Sequence, residues 1–315
     1  MVRKWAILVV ILGVSVGLTA CGSSSKKSAA SGSTTTVAGG TTTTAAGTAQ
    51  VLCDGKTPYD QQIGQPSDFK PIKADTLSVV TSLPGPGFWE GSDTDPTKLT
   101  SGYEYDIAKE LQQAFGLGKL SVRNVSFDAL VAGTVTDFDI ALSQVTINCK
   151  RAAVVNFTRP YFQSNQGVLT KADFSKPLTT VADAKKIRWG AQTGTTALDL
   201  LDKIKPDTRT LVYPQLSDAY TALQAGQVEA VLIDTAINLG QAARSKGALK
   251  VPAQFAQPGG PDQYGALLPK DSTNAAAING VFKSLEDSGK LNQLVEKDLG
   301  VNLATLPTIK VINVP

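Results

Sequence analysis

Two groups of residues in this chain have the types and spacing to hold a small charged molecule. In residues 189–201, WGAQTGTTALDLL, an apolar run ends in the turn Gly194-Thr195-Thr196, and apolar residues then recur at helical spacing: strand, tight turn, helix start. The free backbone N–H groups of a helix start and its positive dipole end favour an anion. A phosphate loop is a poor match, because no lysine follows Gly194 until Lys203. The second group lies in residues 146–162, TINCKRAAVVNFTRPYF, where Thr146, Asn148 and Arg151 offer hydroxyl, amide and guanidinium donors close together. A guanidinium can grip a carboxylate through two parallel hydrogen bonds. Taken singly, these residues have simpler uses: Thr195 and Thr196 as helix caps, Thr146 as a turn residue, Arg151 as a solvated cation.

The elements that must position them alternate short apolar strands with amphipathic helices. TLSVVTS, YDIAKELQQAF, LSVRNVSF, FDALVAG and FDIALSQV follow one another, a pattern of parallel α/β layers. The pattern then repeats, since residues 129–142, ALVAGTVTDFDIAL, and 222–233, ALQAGQVEAVLI, share a helix end, a Gly stop, an acidic residue and an apolar strand. Two similar lobes are expected, and 315 residues with 42% hydrophobic and 18% charged character suffice for them.

The N-terminus has a different purpose. Arg3 and Lys4 precede an uncharged apolar stretch, residues 5–18, and then LTAC ending at Cys21. This resembles a bacterial lipoprotein signal with its lipobox, which implies that residues 1–20 are removed and that Cys21 is lipidated and anchors an exported protein to the membrane. The apolar run is shorter than the roughly 20 residues of a spanning helix. Residues 22–49 are almost wholly Gly, Ser, Thr and Ala, with Lys26 and Lys27 as the only charges, so 21–52 is read as the lipid anchor and a disordered tether. Without Arg3 and Lys4 the net charge falls from +3 to +1, which gives no argument for nucleic acid. Cys53 and Cys149 then remain, and the oxidising compartment favours a disulfide between them over a buried free Cys149 and an exposed Cys53.

From about Leu77 to Gly300 the chain resembles the bacterial solute-binding proteins of family 3, which deliver polar amino acids to ABC importers. The matching pieces, in order, are SGYEYDIAKEL, VSFDALVAGTVTDFDIALSQVTI, the arginine followed by VVNFTRPYF, WGAQTGTTALDLL, AYTALQAGQVEAVLID and QYGALLPKD. The resemblance implies a two-lobed α/β fold of the type II periplasmic-binding-protein kind, each lobe a mostly parallel sheet flanked by helices. Lobe 1 would comprise 53–165 plus 264–302 and lobe 2 would comprise 166–263. Two crossings near 166–171 and 263–269 would act as hinges, and the tail 303–315 has no assigned role.

The ligand would sit between the lobes, gripped by its zwitterionic head. By resemblance, Arg151 and the turn Gly194-Thr195-Thr196 take the α-carboxylate, Asp234 takes the α-ammonium, Thr146 faces the head group and Phe127 stacks over the ligand, with Phe88 or Trp89 as the opposite wall. Two of these have plainer alternatives, Phe127 as a core residue and Asp234 as a helix N-cap. The family usually has Thr-Pro-Glu-Arg where this chain has Asn148-Cys149-Lys150-Arg151, so an amide replaces one hydroxyl. Residues 84–100, PGPGFWEGSDTDPTKLT, are longer and richer in Gly and Pro than the pattern. Gln192 stands where the side chain is often read, which suggests a neutral polar ligand such as glutamine or asparagine. A basic ligand would need an acid such as Glu90, and an acidic one a cation such as Arg188 or Arg159.

The function expected is binding by hinge closure and delivery to an importer permease, by a monomer that does no chemistry. The chain has no histidine, no nucleophile–base–orienter set and no clustered metal-ligand spacing, so no cofactor or metal is expected. The rivals are a sensor whose closed form signals to a membrane partner, and a dehydratase-like enzyme on the same fold with Glu90 or Glu104 as its acid or base.

Overall fold

The computed structural model describes residues 53–300 and 310–314. The expected signal segment 1–20, the lipidation site Cys21 and the tether 21–52 lie outside the described residues. Among those described, no helix is long and apolar enough to cross a membrane.

The first lobe begins with β1 (Thr76–Thr81), α1 (Tyr103–Ala114), β2 (Lys119–Asn124), α2 (Phe127–Val131), β3 (Ile140–Ala141), α3 (Cys149–Ala152) and β4 (Asn156–Ser164). The second lobe follows as β5 (Gln166–Lys171), α4 (Val181–Lys185), β6 (Trp189–Gln192), α5 (Thr196–Ile204), β7 (Leu211–Tyr213), α6 (Leu216–Gln224), β8 (Ala230–Asp234), α7 (Thr235–Arg244) and β9 (Leu249–Ala256). The chain then returns through β10 (Asp262–Leu268), α8 (Ala275–Asp287) and α9 (Lys290–Leu299), and ends on β11 (Lys310–Asn313).

The strand orders are β2-β1-β3-β10-β4 and β11-β9-β5-β8-β6-β7. Both sheets are mixed. Parallel pairs such as β1 with β3 and β6 with β8 come from the α/β repeats, whereas β10 and β5, the strands on which the chain changes lobe, run antiparallel to their neighbours. Only Asn165 separates β4 from β5, and five residues, 257–261, separate β9 from β10. α9 packs on α1 and α8, whereas β11 pairs in parallel with β9 of the second sheet. The tail thus contributes an edge strand to the second lobe.

Local sequence explains the elements that carry the site. In α5 the buried residues are Ala197, Leu200, Leu201 and Ile204, one face at 3.6-residue spacing, packed in the second-lobe core with Trp189 and Leu232. Burying each of its leucines is worth about 1.5–3 kcal/mol, which fixes where the start of α5 points. β8 is buried along its whole length, as a strand covered on both faces should be, and ends on Asp234.

Cys53 and Cys149 are joined by a disulfide, with Cα atoms 5.4 Å apart and a sequence separation of 96. Cys149 opens α3, two residues before Arg151, so the bridge pins the helix that carries the guanidinium. Closing so long a loop restricts the unfolded chain strongly, and a double Cys53→Ser, Cys149→Ser variant is expected to lose about 2–4 kcal/mol of unfolding free energy. Urea melts with and without reductant check this; unchanged midpoints would show that the bridge does not carry stability.

Candidate ligand-binding cleft

Arg151 occupies the centre of the cleft and is 5% exposed. Asn148 caps α3 by accepting the Arg151 backbone N–H at 2.9 Å, which sets the arginine on the inward side of the short helix. The guanidinium then donates to Thr146 O at 2.7 Å in its own lobe and to Gly194 O at 2.9 Å in the other. It lies over the Phe127 ring, 5.5 Å from the centroid, so one of its faces is covered. Burial lowers its pKa to about 10, against the opposing pull of Asp262, Asp234 and Asp199, so it remains a cation at neutral pH.

The turn opposite is built for close approach. Gly194 has φ +75°, and a Cβ there would come within 3.1 Å of Asp128 Oδ1 from the first lobe. Thr195 is the N-cap of α5, yet its hydroxyl turns back to donate to Gln192 O at 2.7 Å and makes no cap bond. Thr196 does not cap either; its hydroxyl donates to Asp262 Oδ2 at 2.8 Å. The Leu198 N–H donates to Thr195 O at 3.3 Å, and the N–H groups of Thr196 and Ala197, which no side chain caps, remain available to an anion beside Arg151.

Asp234 supplies the opposite charge. It is buried, its Oδ1 has no hydrogen-bond partner among the described residues, and its side chain makes no cap bond to α7. Burial first, then repulsion from Asp262, pushes its carboxyl well above the usual range, while Tyr264 and Arg151 act in the other direction. The Tyr264 hydroxyl is buried nearby but is likewise left without a hydrogen bond of normal geometry. A buried carboxylate with unused lone pairs is a receptor for a cationic donor.

Arg151, Thr146, Thr195, Thr196, Asp234, Phe127 and Gln192 all line one small cavity, of about 20 Å³. That is room for little more than a water molecule, whereas small-molecule sites span roughly 300 Å³ or more, so access requires the lobes to part. The cavity also takes in Ser82, Pro84, Ser143, Gln144, Leu216 and Ile237, which sequence reasoning did not single out. A second, larger space of about 520 Å³ beside it is walled by Tyr59, Asn148, Lys150, Asp199, Lys203 and Asp262 and shares Thr146 and Thr196 with the first.

Several expected placements differ. Phe88 and Trp89 are fully buried and do not line the cavity. The turn closed by Trp89 N–H on Gly85 O at 2.7 Å rolls both rings inward: Phe88 packs edge-on to Tyr103 and Phe162, and the Trp89 indole donates to Glu104 Oε2 at 2.8 Å and Leu142 O at 3.1 Å. Pro84, Leu216 and Ile237 supply the apolar wall instead. Asn148 spends its amide oxygen on the cap and faces the larger space. Arg188 pairs with Glu229 and Arg159 with Glu286, so neither reaches the cavity.

Glu90 is the residue whose position is most informative. Arg244 of α7 grips it with Nε at 3.1 Å from each carboxylate oxygen and with a second nitrogen at 2.5 Å from Oε2, while also reaching Asp93 at 2.8 Å. Beside this clasp, Gly240 lets α7 approach so closely that a Cβ would lie 2.6 Å from Pro86 O. These contacts join the lobes away from the head-group residues. Arg244→Ala is expected to weaken ligand binding about threefold to tenfold and to blunt its salt dependence, since a partly exposed ion network contributes on the order of 1 kcal/mol to closure. Titrations at low and high salt read the effect; an unchanged affinity at both would mean that the clasp does not favour the closed form.

Residues 90–301 match the bacterial extracellular solute-binding proteins, family 3. The chain belongs to that family. Similar proteins include the ABC transporter arginine-binding protein 1 of Escherichia coli (strain K12), 30% identical over 137 residues, which are 43% of this chain and 55% of that relative. The alignment thus spans about half of that relative's length. The ABC transporter glutamine-binding protein GlnH of Bacillus subtilis (strain 168) is 25% identical over 241 residues, 72% of this chain and 86% of the relative. Among solved structures, a mutant of ArgBP from T. maritima aligns with TM-score 0.62 and 26% identity over 72% of this chain and 96% of that one. The chain shares with it the two-lobed type II periplasmic-binding-protein fold.

Proposed function

We propose that this family 3 protein binds a polar, uncharged L-amino acid between its lobes, closes over it, and delivers it to an ABC importer permease at the membrane to which Cys21 anchors it. The observation that carries the reading is Arg151, a buried guanidinium bonded to a carbonyl of each lobe, lining one cavity with Asp234, whose Oδ1 has no hydrogen-bond partner among the described residues. An amino acid head group complements both charges. Its carboxylate takes the remaining guanidinium N–H groups and the start of α5, and its ammonium takes Asp234. Because these groups come from both lobes, the ligand gains more from the closed form than from the open one.

The acids nominated for a dehydratase are engaged elsewhere. Glu90 is clasped by Arg244, and Glu104 is buried behind the cleft, where it accepts from Trp89, Tyr161 and Gln144. The test is a thermal-shift screen of the protein against the twenty amino acids and prephenate. A rise in Tm with one or a few polar amino acids supports the reading, by mass action on the folded state; a rise with prephenate alone contradicts it.

A further inference from the structure

Two glutamines, Gln144 from the first lobe and Gln192 from the second, line the cleft and are nearly buried, at 7% and 5% exposure. Each has its NH2 end committed inside the protein. Gln144 Nε2 donates to Glu104 Oε2, and its backbone N–H donates to Glu104 Oε1 at 2.8 Å. Glu104 is fully buried and also accepts from the Trp89 indole and the Tyr161 hydroxyl. Burial raises the Glu104 carboxyl to about 7, against the hydrogen bonds from Tyr161, Gln144 and Trp89; while Glu104 is ionised, the Gln144 amide cannot turn over without setting its own oxygen against a carboxylate oxygen. Gln192 Nε2 donates to Pro214 O at 3.3 Å, which fixes its amide the same way round. What each side chain has left is Oε1, and no hydrogen bond among the described residues engages either oxygen. Gln144 also holds a left-handed backbone, φ +50°, uncommon for a residue other than glycine and maintained here by its two bonds to Glu104.

We propose that Gln144 and Gln192 form a subsite that presents only acceptors, and that it selects an amino acid whose side chain ends in a carboxamide over one ending in a carboxylate. The proposal rests on the amino-acid reading above and deepens it. A carboxamide NH2 has one N–H for each glutamine oxygen, whereas a carboxylate of the same shape would set lone pairs against lone pairs. A guanidinium or ammonium would satisfy the oxygens but would lack a counter-charge, since the ionisable residues lining the cavity are Arg151 and Asp234, both used by the head group. Glu104 touches no ligand in this scheme; it is a positioning residue that acts through Gln144.

The experiment is calorimetric titration of wild type, Gln144→Leu, Gln192→Leu and Glu104→Gln with L-glutamine, L-asparagine, L-glutamate, L-arginine and L-alanine. A carboxamide amino acid is expected to bind wild type at least about 100-fold more tightly than glutamate, the scale on which a hydrogen-bonding site rejects a mismatched partner. Each leucine variant should narrow that ratio about tenfold while changing alanine binding, which uses the head group alone, less than about threefold. Glu104→Gln should narrow it too, because the released Gln144 amide can turn over; a purely structural loss would weaken all ligands together. Gln192→Leu, remote from the Glu104 network, decides the matter if the other variants do not fold. Glutamate or arginine binding as tightly as glutamine, or a ratio untouched by the leucine variants, overturns the subsite and leaves the amino-acid reading standing. If no amino acid binds wild type, the reading itself fails and the subsite falls with it.

Discussion

Arg151→Ala is expected to weaken amino-acid binding by about 30-fold to about 4,000-fold, the equivalent of roughly 2–5 kcal/mol for truncating one partner of a buried charge pair. The loss has two sources. The ligand carboxylate is left in the cleft with only the α5 N–H groups to receive it, and the bond to Gly194 O that draws the lobes together disappears along with the one to Thr146 O that holds the guanidinium in its own lobe. Arg151→Lys separates these sources. It keeps the positive charge, but a lysine is a point donor on a flexible stem and cannot hold two carbonyls and a carboxylate at once, so at least about tenfold is still lost. Calorimetry on variants that melt like wild type reads both; an Arg151→Ala variant that binds as tightly as wild type would remove Arg151 from the site.

Asp234 has the second large effect, and its sign depends on pH. Burial and Asp262 raise its carboxyl well above the ordinary value, so the protein without ligand takes up a proton there over a range in which the unfolded chain does not. The folded state is therefore favoured at low pH, and this contribution is lost as pH rises through the raised value. Ligand binding runs the other way. The α-ammonium needs the ionised carboxylate and expels the proton, so affinity climbs about tenfold per pH unit up to the raised value and then levels. Asp234→Asn should abolish that slope, cut affinity by about 100-fold or more, and leave the ligand-free protein at neutral pH as stable as wild type or more so. Titrations and melts from pH 5 to 9 check all three. An affinity flat across that window in wild type, or a slope that persists in the variant, would place the ammonium elsewhere.

Much of this was legible in the sequence, because the site is built at ends of elements that local patterns mark well. The 3.6-residue spacing of Ala197, Leu200, Leu201 and Ile204 announced α5 and hence the turn before it; EAVLID announced a buried strand ending on an acid; Arg151 followed a strand end at short range. The residues that were misread depend on rotation and long-range contact. Phe88 and Trp89 stand in a Gly/Pro-rich turn whose period says nothing about which way the rings face, and a core holding Tyr103, Phe162 and Glu104 drew both inward. Gln144 carries no local signal of its role, and only the contact with Glu104, 40 residues earlier, shows why its amide faces as it does. Asp262 ties Thr196 and Gln166 together where the chain crosses between lobes, a three-way contact with no local signature. The strand β11 lies beyond the family match, which ends at residue 301, and nothing in its short apolar pattern names β9 as its partner.

The central claim is that a zwitterionic head group is held from both lobes at once. Its most direct test is a calorimetric comparison of L-glutamine with 4-aminobutanamide, which lacks the α-carboxylate, and N-acetyl-L-glutamine, which lacks the α-ammonium. The account predicts that glutamine binds and that each analogue loses about 100-fold or more, since each leaves a buried charge of the cleft unpaired. Glutamine binding no better than either analogue would contradict it.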